Sequence, residues 1–132
     1  MIKTFEFRGN KKCCLSVGHY NKEKAIAISV IDMEIDEEIA TLTVLDEYSD
    51  YEVGMATVIG DFIDGDEVTI YKTAADILQE LGIVKEVVKK YSIDEKGYGD
   101  KTRVDVCEIN LDRLEEYAKK WEYWEWKEDE TI

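Results

Sequence analysis

Residues 25–45, AIAISVIDMEIDEEIATLTVL, contain two strand patterns on either side of an acidic stretch. In residues 25–31, isoleucines and a valine alternate with small residues, so one face of a strand is apolar. Residues 39–45 repeat this alternation with threonines on the opposite face, and β-branched residues of this kind favour strands. We therefore expect two strands of an antiparallel meander here.

Further strands are predicted on both sides of this region. Residues 2–7 alternate around two phenylalanines, and the turn residues that follow predict a hairpin into residues 12–17. Residues 51–59 are apolar enough for another strand. Residues 83–93 also fit a helical stripe, but their β-branched content and the helix stop at Gly82 favour a strand. Together with residues 102–109 they flank a glycine-containing turn, so we expect a second hairpin late in the chain.

Two helices are predicted among these strands. Thr73 and Asp76 have the spacing of a capping box, and Gly82 follows the last apolar residue of a helical period, as a C′ glycine does. Asn110 is an N-cap residue for a second helix. The apolar stripe of this second helix is expected to contain Leu111, Leu114, Ala118 and Trp121. The order of elements predicts an α+β fold, a mostly antiparallel sheet with two helices packed on one face.

Length and composition predict a single domain. The chain has 132 residues, of which 45% are hydrophobic, enough for one core. We expect the domain to comprise residues 1–126, with residues 127–132 as a frayed tail. No apolar stretch approaches the roughly 18 residues of a membrane helix, and the start lacks a signal-peptide pattern. The sequence therefore predicts a cytoplasmic protein with no membrane partner.

The residues that most often carry catalysis or zinc are sparse. Cys13, Cys14 and Cys107 lack CxxC spacing, and His19 is the single histidine. A nucleophile and base could be assembled from the first two cysteines and this histidine, but no nucleophile motif surrounds them. Paired-ligand spacing for zinc is also missing. We therefore expect buried reduced thiols, no cofactor and no enzymatic activity.

Negative charge is concentrated in one part of the chain. The formal net charge is −14, and between Lys24 and Lys72 there are thirteen acids and no lysine or arginine. A field of one sign attracts basic partners and repels nucleic acid and anionic lipid. The acids predicted to contact a basic partner protein are Asp32, Glu34, Asp36, Glu37, Glu38, Asp46, Glu47 and Asp50.

This acidic region has three interpretations. It is a solubilising face, a docking surface for a basic protein, or a cation site. Mimicry of nucleic acid would need two adjacent acidic elements, because one strand spaces same-face carboxylates about 6.6 Å apart, against about 3.4 Å per phosphate in a DNA strand. Clustered carboxylates suit Ca²⁺ or Mg²⁺. The weak metal candidates are Asp61, Asp64, Asp66 and Glu67, whose spacing does not match an EF-hand. A divalent-cation or small-ligand module is the alternative function.

All three tryptophans lie near the end of the chain, at Trp121, Trp124 and Trp126, with two tyrosines nearby. Tryptophan and tyrosine are favoured anchors of protein interfaces. We expect Trp124 and Trp126 to contact a partner protein or a second copy in a homodimer. Interleaved glutamates disfavour stacking on nucleic acid.

Five segments carry a resemblance to a known family: residues 3–7 (KTFEF), 40–44 (ATLTV), 62–64 (FID), 77–83 (ILQELGI) and 106–114 (VCEINLDRL). In this order they resemble domain-of-unknown-function family 4313, small uncharacterised proteins of plasmids and conjugative elements in gut-type bacteria. The resemblance implies a compact accessory protein of mobile elements, without an activity to assign to particular residues. We therefore expect a non-enzymatic interaction protein that docks a basic partner, such as a host defence or nucleic-acid-handling protein.

Overall fold

The computed structural model describes residues 2–19, 26–44, 54–59, 62–64, 72–93 and 102–122. In chain order these residues form β1 (Phe5–Phe7), β2 (Asn10–His19), β3 (Ile26–Asp32), β4 (Glu37–Thr41), β5 (Met55–Ile59), β6 (Phe62–Asp64), β7 (Lys72–Thr73), α1 (Ala74–Glu80), β8 (Val84–Ile93), β9 (Thr102–Ile109), α2 (Leu111–Glu116) and β10 (Ala118–Trp121). Strands predominate, and the α+β class predicted from the sequence is confirmed.

The first sheet is the predicted antiparallel meander, in the order β1-β2-β3-β4. Arg8 and Gly9 connect β1 to β2 with φ of 51° and 80°, the two positive values that a type I′ hairpin turn requires. Strands β2 and β3 pair without interruption from Cys13 opposite Asp32 to His19 opposite Ile26. The meander is therefore confirmed.

The second sheet contains β5, β9 and β8 in that order, all antiparallel, and it includes the predicted late hairpin. It is joined to the first sheet just after β4. Thr43 forms a bridge with Val58, and the amide of Val44 donates to the carbonyl of Thr57 at 2.9 Å. Hydrogen bonding therefore continues from the meander into the second sheet.

Helix α1 begins as predicted, with a capping box. The Thr73 hydroxyl accepts from the Asp76 amide at 3.1 Å, and the Asp76 carboxylate accepts from the Thr73 amide at 3.0 Å. Ala74, Ala75, Ile77 and Leu78 form its buried face. After the helix, Gly82 has φ +78°, which supports the prediction of a glycine just past its end.

The second helix is shorter than predicted. Helix α2 ends at Glu116, and residues 118–121 form β10, which runs parallel to β2. The prediction of one helix extending to Trp121 is therefore wrong. The edge of β2 beyond β1 offers backbone groups that need partners, and the Leu15 amide donates to the Tyr117 carbonyl at 2.8 Å. This pairing overrides the helical spacing of Ala118 and Trp121.

The two helices contact different strands. Helix α1 contacts β5, β6, β7 and β8, whereas α2 contacts β10. Packing of both helices on one face of a sheet is therefore not confirmed. Neither helix in the described ranges is long and apolar enough to cross a membrane.

Arg113 of α2 connects the C-terminal end of α1 to α2. Its Nε donates to the Leu81 carbonyl at 2.7 Å, and its Nη1 donates to the Glu116 carboxylate at 3.0 Å. Its guanidinium also lies over the Tyr117 ring, 5.4 Å from the centroid. The unpaired carbonyl at the end of α1 is thereby satisfied by a charged side chain.

The core is formed by side chains of both sheets and both helices. Its largest fully buried side chains are Phe7, Leu15, Ile26, Ile28, Leu42, Leu78, Ile83 and Leu114. The neighbours Cys13 and Cys14 are both fully buried although successive strand residues point to opposite faces. Both faces of β2 are therefore covered at this point.

Candidate functional site

The turn between β3 and β4 is held by three local features. The Asp32 carboxylate accepts from the Glu34 amide at 2.9 Å, the geometry of an Asx turn. The Met33 amide donates to the Lys12 carbonyl at 3.0 Å. Asp36 has φ +54°, a left-handed conformation that aspartate tolerates better than most residues. The sequence Asp-Met-Glu-Ile-Asp thus specifies a defined hairpin.

This hairpin exposes an apolar residue among acids. Ile35 is 56% exposed at the turn, and Glu34, Glu37 and Glu38 are exposed around it. The three glutamates form no salt bridge with the described part of the chain. We call Glu34, Ile35, Asp36, Glu37 and Glu38 the acidic hairpin tip. It combines unpaired negative charge with one exposed apolar side chain.

Asp36 differs from the other acids because it is paired. Its carboxylate accepts a hydrogen bond from the Lys119 ammonium of β10. This hydrogen bond and the charge of Lys119 lower the pKa of Asp36, and the carboxylate raises the pKa of Lys119. The pair connects the tip to the strand on the far edge of β2, and it removes one charge from those available to a partner.

The other acids predicted at the partner surface have different positions. Asp32 is only 6% exposed, and it acts within the turn, so we leave it out of the docking surface. Asp46, Glu47 and Asp50 lie outside the described residues, as do Trp124 and Trp126. The second acidic element that nucleic-acid mimicry requires therefore has no described geometry.

The predicted cation site also lies mostly outside the described residues. Asp64 ends β6, and nothing is described of its side chain or of Asp61, Asp66 and Glu67. Within the described ranges, no group of three or more histidine, cysteine or acidic side chains could hold a metal ion. The hypothesis of a cation site at residues 61–67 is therefore tested by the effect of Ca²⁺ on stability.

The cysteines are poorly suited to nucleophilic chemistry. Burial, followed by the negative charge of Asp32, raises the pKa of Cys13 to about 11, and burial also raises the pKa of Cys14. Both thiols therefore stay protonated at neutral pH. His19 is five residues from Cys14 along the same strand, a separation of about 17 Å at 3.3 Å per residue. The cysteines and this histidine do not form a catalytic pair.

Among the described residues, two buried polar atoms in the second sheet find no hydrogen-bond partner, Thr57 Oγ1 and Asp105 Oδ1. Thr57 pairs with Val106 and Asp105 pairs with Val58, so the two side chains lie on opposite faces of the sheet. Asp105 Oδ2 lies 3.8 Å from Arg103 Nη2. These groups are therefore not one site.

Two parts of the site were not predicted from the sequence. Ile35 is the one apolar residue in the run Glu34 to Glu38, and its position in a turn was a signal of exposure. The contact of Lys119 with Asp36 was missed because residues 118–121 were expected to be helical.

No family model, curated protein or solved structure matches this chain.

Proposed function

We propose that this chain is a non-enzymatic interaction protein whose acidic hairpin tip docks a basic partner protein. One observation carries the proposal: Ile35 is 56% exposed between glutamates that have no salt bridge in the described structure. A surface that served only solubility would not require an exposed isoleucine at its centre. Charges around an apolar residue are instead the arrangement of an interface with an apolar centre and a polar rim.

The hairpin gives this surface a fixed shape. The Asx turn at Asp32 and the hydrogen bond from Met33 to β2 order the tip before any partner binds. A preordered surface loses less conformational entropy on binding than a loose loop. The exposed carboxylates accelerate encounter with a basic surface, and Ile35 contributes after contact is made.

The partner class follows from charge and from the family resemblance. A mobile-element accessory protein meets host defence and nucleic-acid-handling proteins, which carry basic surfaces. Nucleic acid itself is a poor partner for a chain of net charge −14. Trp124 and Trp126 stay predicted anchors for the same partner or for a homodimer.

The test compares two variants with the same change in charge. Glu34, Glu37 and Glu38 are replaced with glutamine in one variant, and exposed Glu6, Glu115 and Glu122 in the control. The tagged proteins capture partners from host lysate at low salt, and the proteins eluted by rising salt are identified and purified.

The hairpin variant should then bind the purified partner with an association rate reduced about tenfold or more, because steering by charge acts mainly on this rate. The control should bind like the wild type. Equal binding by the two variants, or an equal loss in both, would contradict a docking role for the tip.

A further inference from the structure

Strand β8 is the outer strand of the second sheet, and no other strand in the described residues pairs with its free edge. Two bulges interrupt its pairing with β9, and the second of them contains Val88, which is 48% exposed. Lys85, Lys89 and Lys90 are exposed along the strand, which has a single acid, Glu86. Lys85 lies 3.8 Å from the Glu108 carboxylate of β9, so Lys89 and Lys90 provide the positive charge of this edge. The edge of β8 is therefore basic and partly apolar, in a chain that is strongly acidic.

A shallow cavity of about 340 Å³, largely open to solvent, lies at the second half of this strand. The described residues that line it are Lys89, Lys90, Tyr91 and Ser92. The Lys89 ammonium lies over the Tyr91 ring, 5.3 Å from the centroid. Lysine stems and a tyrosine ring can cover an aliphatic side chain while the ammonium groups stay at the rim. The cavity therefore suits an apolar residue that is flanked by carboxylates.

The acidic hairpin tip has this composition. Ile35 and Val88 are the two exposed large hydrophobic residues of the described structure, and one lies in each surface. The tip carries four acids, of which Asp36 is paired with Lys119, and β8 carries three lysines, of which Lys85 is paired with Glu108, and one acid. The two surfaces are therefore complementary both in charge and in apolar content.

We propose that the acidic hairpin tip of one copy docks on the β8 edge of a second copy, with Ile35 in the cavity at Lys89 and Lys90. This inference rests on the proposed function, because it names the chain itself as one basic partner of the tip. The two surfaces are different, so the contact is heterologous. Each bound copy keeps one free surface, so assembly continues head to tail, as a closed ring or an open filament according to the rotation between copies.

Salt should affect this contact in two directions. Copies with a net charge of −14 repel each other over long distances at low salt. At about 0.15 M salt the Debye length is about 8 Å, which screens this repulsion but spares ion pairs in contact. At about 1 M the Debye length falls to about 3 Å and the contact itself weakens. Self-association should therefore be strongest at intermediate salt.

Three charge-reversed variants test the contact by sedimentation velocity over a range of protein concentrations. The first carries Glu37→Lys and Glu38→Lys in the hairpin, and the second carries Lys89→Glu and Lys90→Glu in β8. The control carries Glu6→Lys and Glu115→Lys, and it has the same net charge as the hairpin variant. An equimolar mixture of the first two variants is the decisive sample, because it pairs the reversed hairpin with the reversed strand.

The wild type and the control should show an average mass that rises with concentration. Each of the first two variants should raise the Kd of self-association about tenfold or more, since like charges then face each other across the contact. Their mixture should associate again. A wild type that stays monomeric, a mixture that fails to associate, or a control that loses association as the hairpin variant does would overturn the proposal.

The β8 variant separates this inference from the proposed function. Lys89 and Lys90 lie outside the acidic hairpin tip, and their replacement adds negative charge, so this variant should still bind a foreign basic partner, at the wild-type rate or faster. Lost self-association in the β8 variant with intact foreign binding supports the inference. A monomeric wild type whose hairpin-dependent binding of the foreign partner persists overturns this inference and leaves the proposed function in place.

Discussion

Replacing Gly82 with alanine should cost more stability than the same replacement at Gly9, although the two glycines have nearly identical backbones. Gly9 has φ +80° and Gly82 has φ +78°. A Cβ at Gly9 would have no neighbouring atom within 4 Å, whereas a Cβ at Gly82 would lie 3.2 Å from Arg113 Nε. The two substitutions therefore share a backbone cost and differ by one close contact.

The magnitudes follow from these contacts. An L-residue in the left-handed region costs about 1 to 2 kcal/mol, and the stiffer unfolded chain offsets about 0.4 to 1 kcal/mol. Gly9→Ala should therefore lose about 1 kcal/mol. Arg113 Nε donates to the Leu81 carbonyl at 2.7 Å and cannot move without weakening that bond. A hydrogen bond to a charged group contributes about 1.5 to 3 kcal/mol, so Gly82→Ala should lose about 2 to 4 kcal/mol.

Urea unfolding followed by tryptophan fluorescence measures both losses. The same Gly82→Ala change in an Arg113→Ala background should cost only about as much as Gly9→Ala, because the contact is then absent. Equal losses at the two glycines, or a cost at Gly82 that persists without the arginine side chain, would refute the reasoning.

Three further predictions also concern stability. Trp121 is half-buried against the core, so Trp121→Ala should cost about 1 to 3 kcal/mol, below the roughly 3 to 5 kcal/mol of a fully buried aromatic residue. Trp126→Ala should cost about 0.5 kcal/mol. Equal losses of stability in the two variants would place both tryptophans in the core. If residues 61–67 bind a cation, millimolar Ca²⁺ should raise the Tm more than NaCl of equal ionic strength, and equal shifts would eliminate that site. Burial, then the charge of Asp105, raises the pKa of Cys107 from 9.0 to about 12, so the unfolded chain loses this proton first. Stability should therefore fall as pH rises between these values, and Cys107→Ala should reduce that slope in urea unfolding.

The sequence predicted those elements whose signals are local. The capping box at Thr73, the apolar alternation of β3 and the β8–β9 hairpin all appear in the structure because each is encoded within one continuous stretch of sequence. The conformation of residues 118–121, by contrast, depends on pairing with β2, which is about 100 residues away in the sequence. Ala118 and Trp121 are spaced for a helix, and only the open edge of β2 makes them a strand. The spacing of apolar residues within a short segment does not indicate whether an unpaired strand edge lies next to that segment in the fold.

The same limit applied to the candidate site. The number of acids in the acidic region could be counted from the sequence, but their different environments could not be predicted. Asp32 is buried and accepts a hydrogen bond within the turn, whereas Asp36 forms a salt bridge with Lys119. The exposed Ile35 and the basic edge of β8 are also tertiary properties. A sequence shows that isoleucine and lysine are present, and the fold decides which of them face a common surface.

The parallel pairing of β10 with β2 has a consequence for synthesis of the chain. Leu15 and Val17 pair with residues that the ribosome adds roughly 100 positions later, which takes about 5 to 20 seconds at common elongation rates. During that interval this edge of β2 lacks its partner strand, and closing so long a loop is entropically slow. A nascent chain that has already formed β2 and β3 therefore presents an open strand edge until residue 121 emerges. This edge is the place where we expect a chaperone to bind, or a second nascent chain to pair in error.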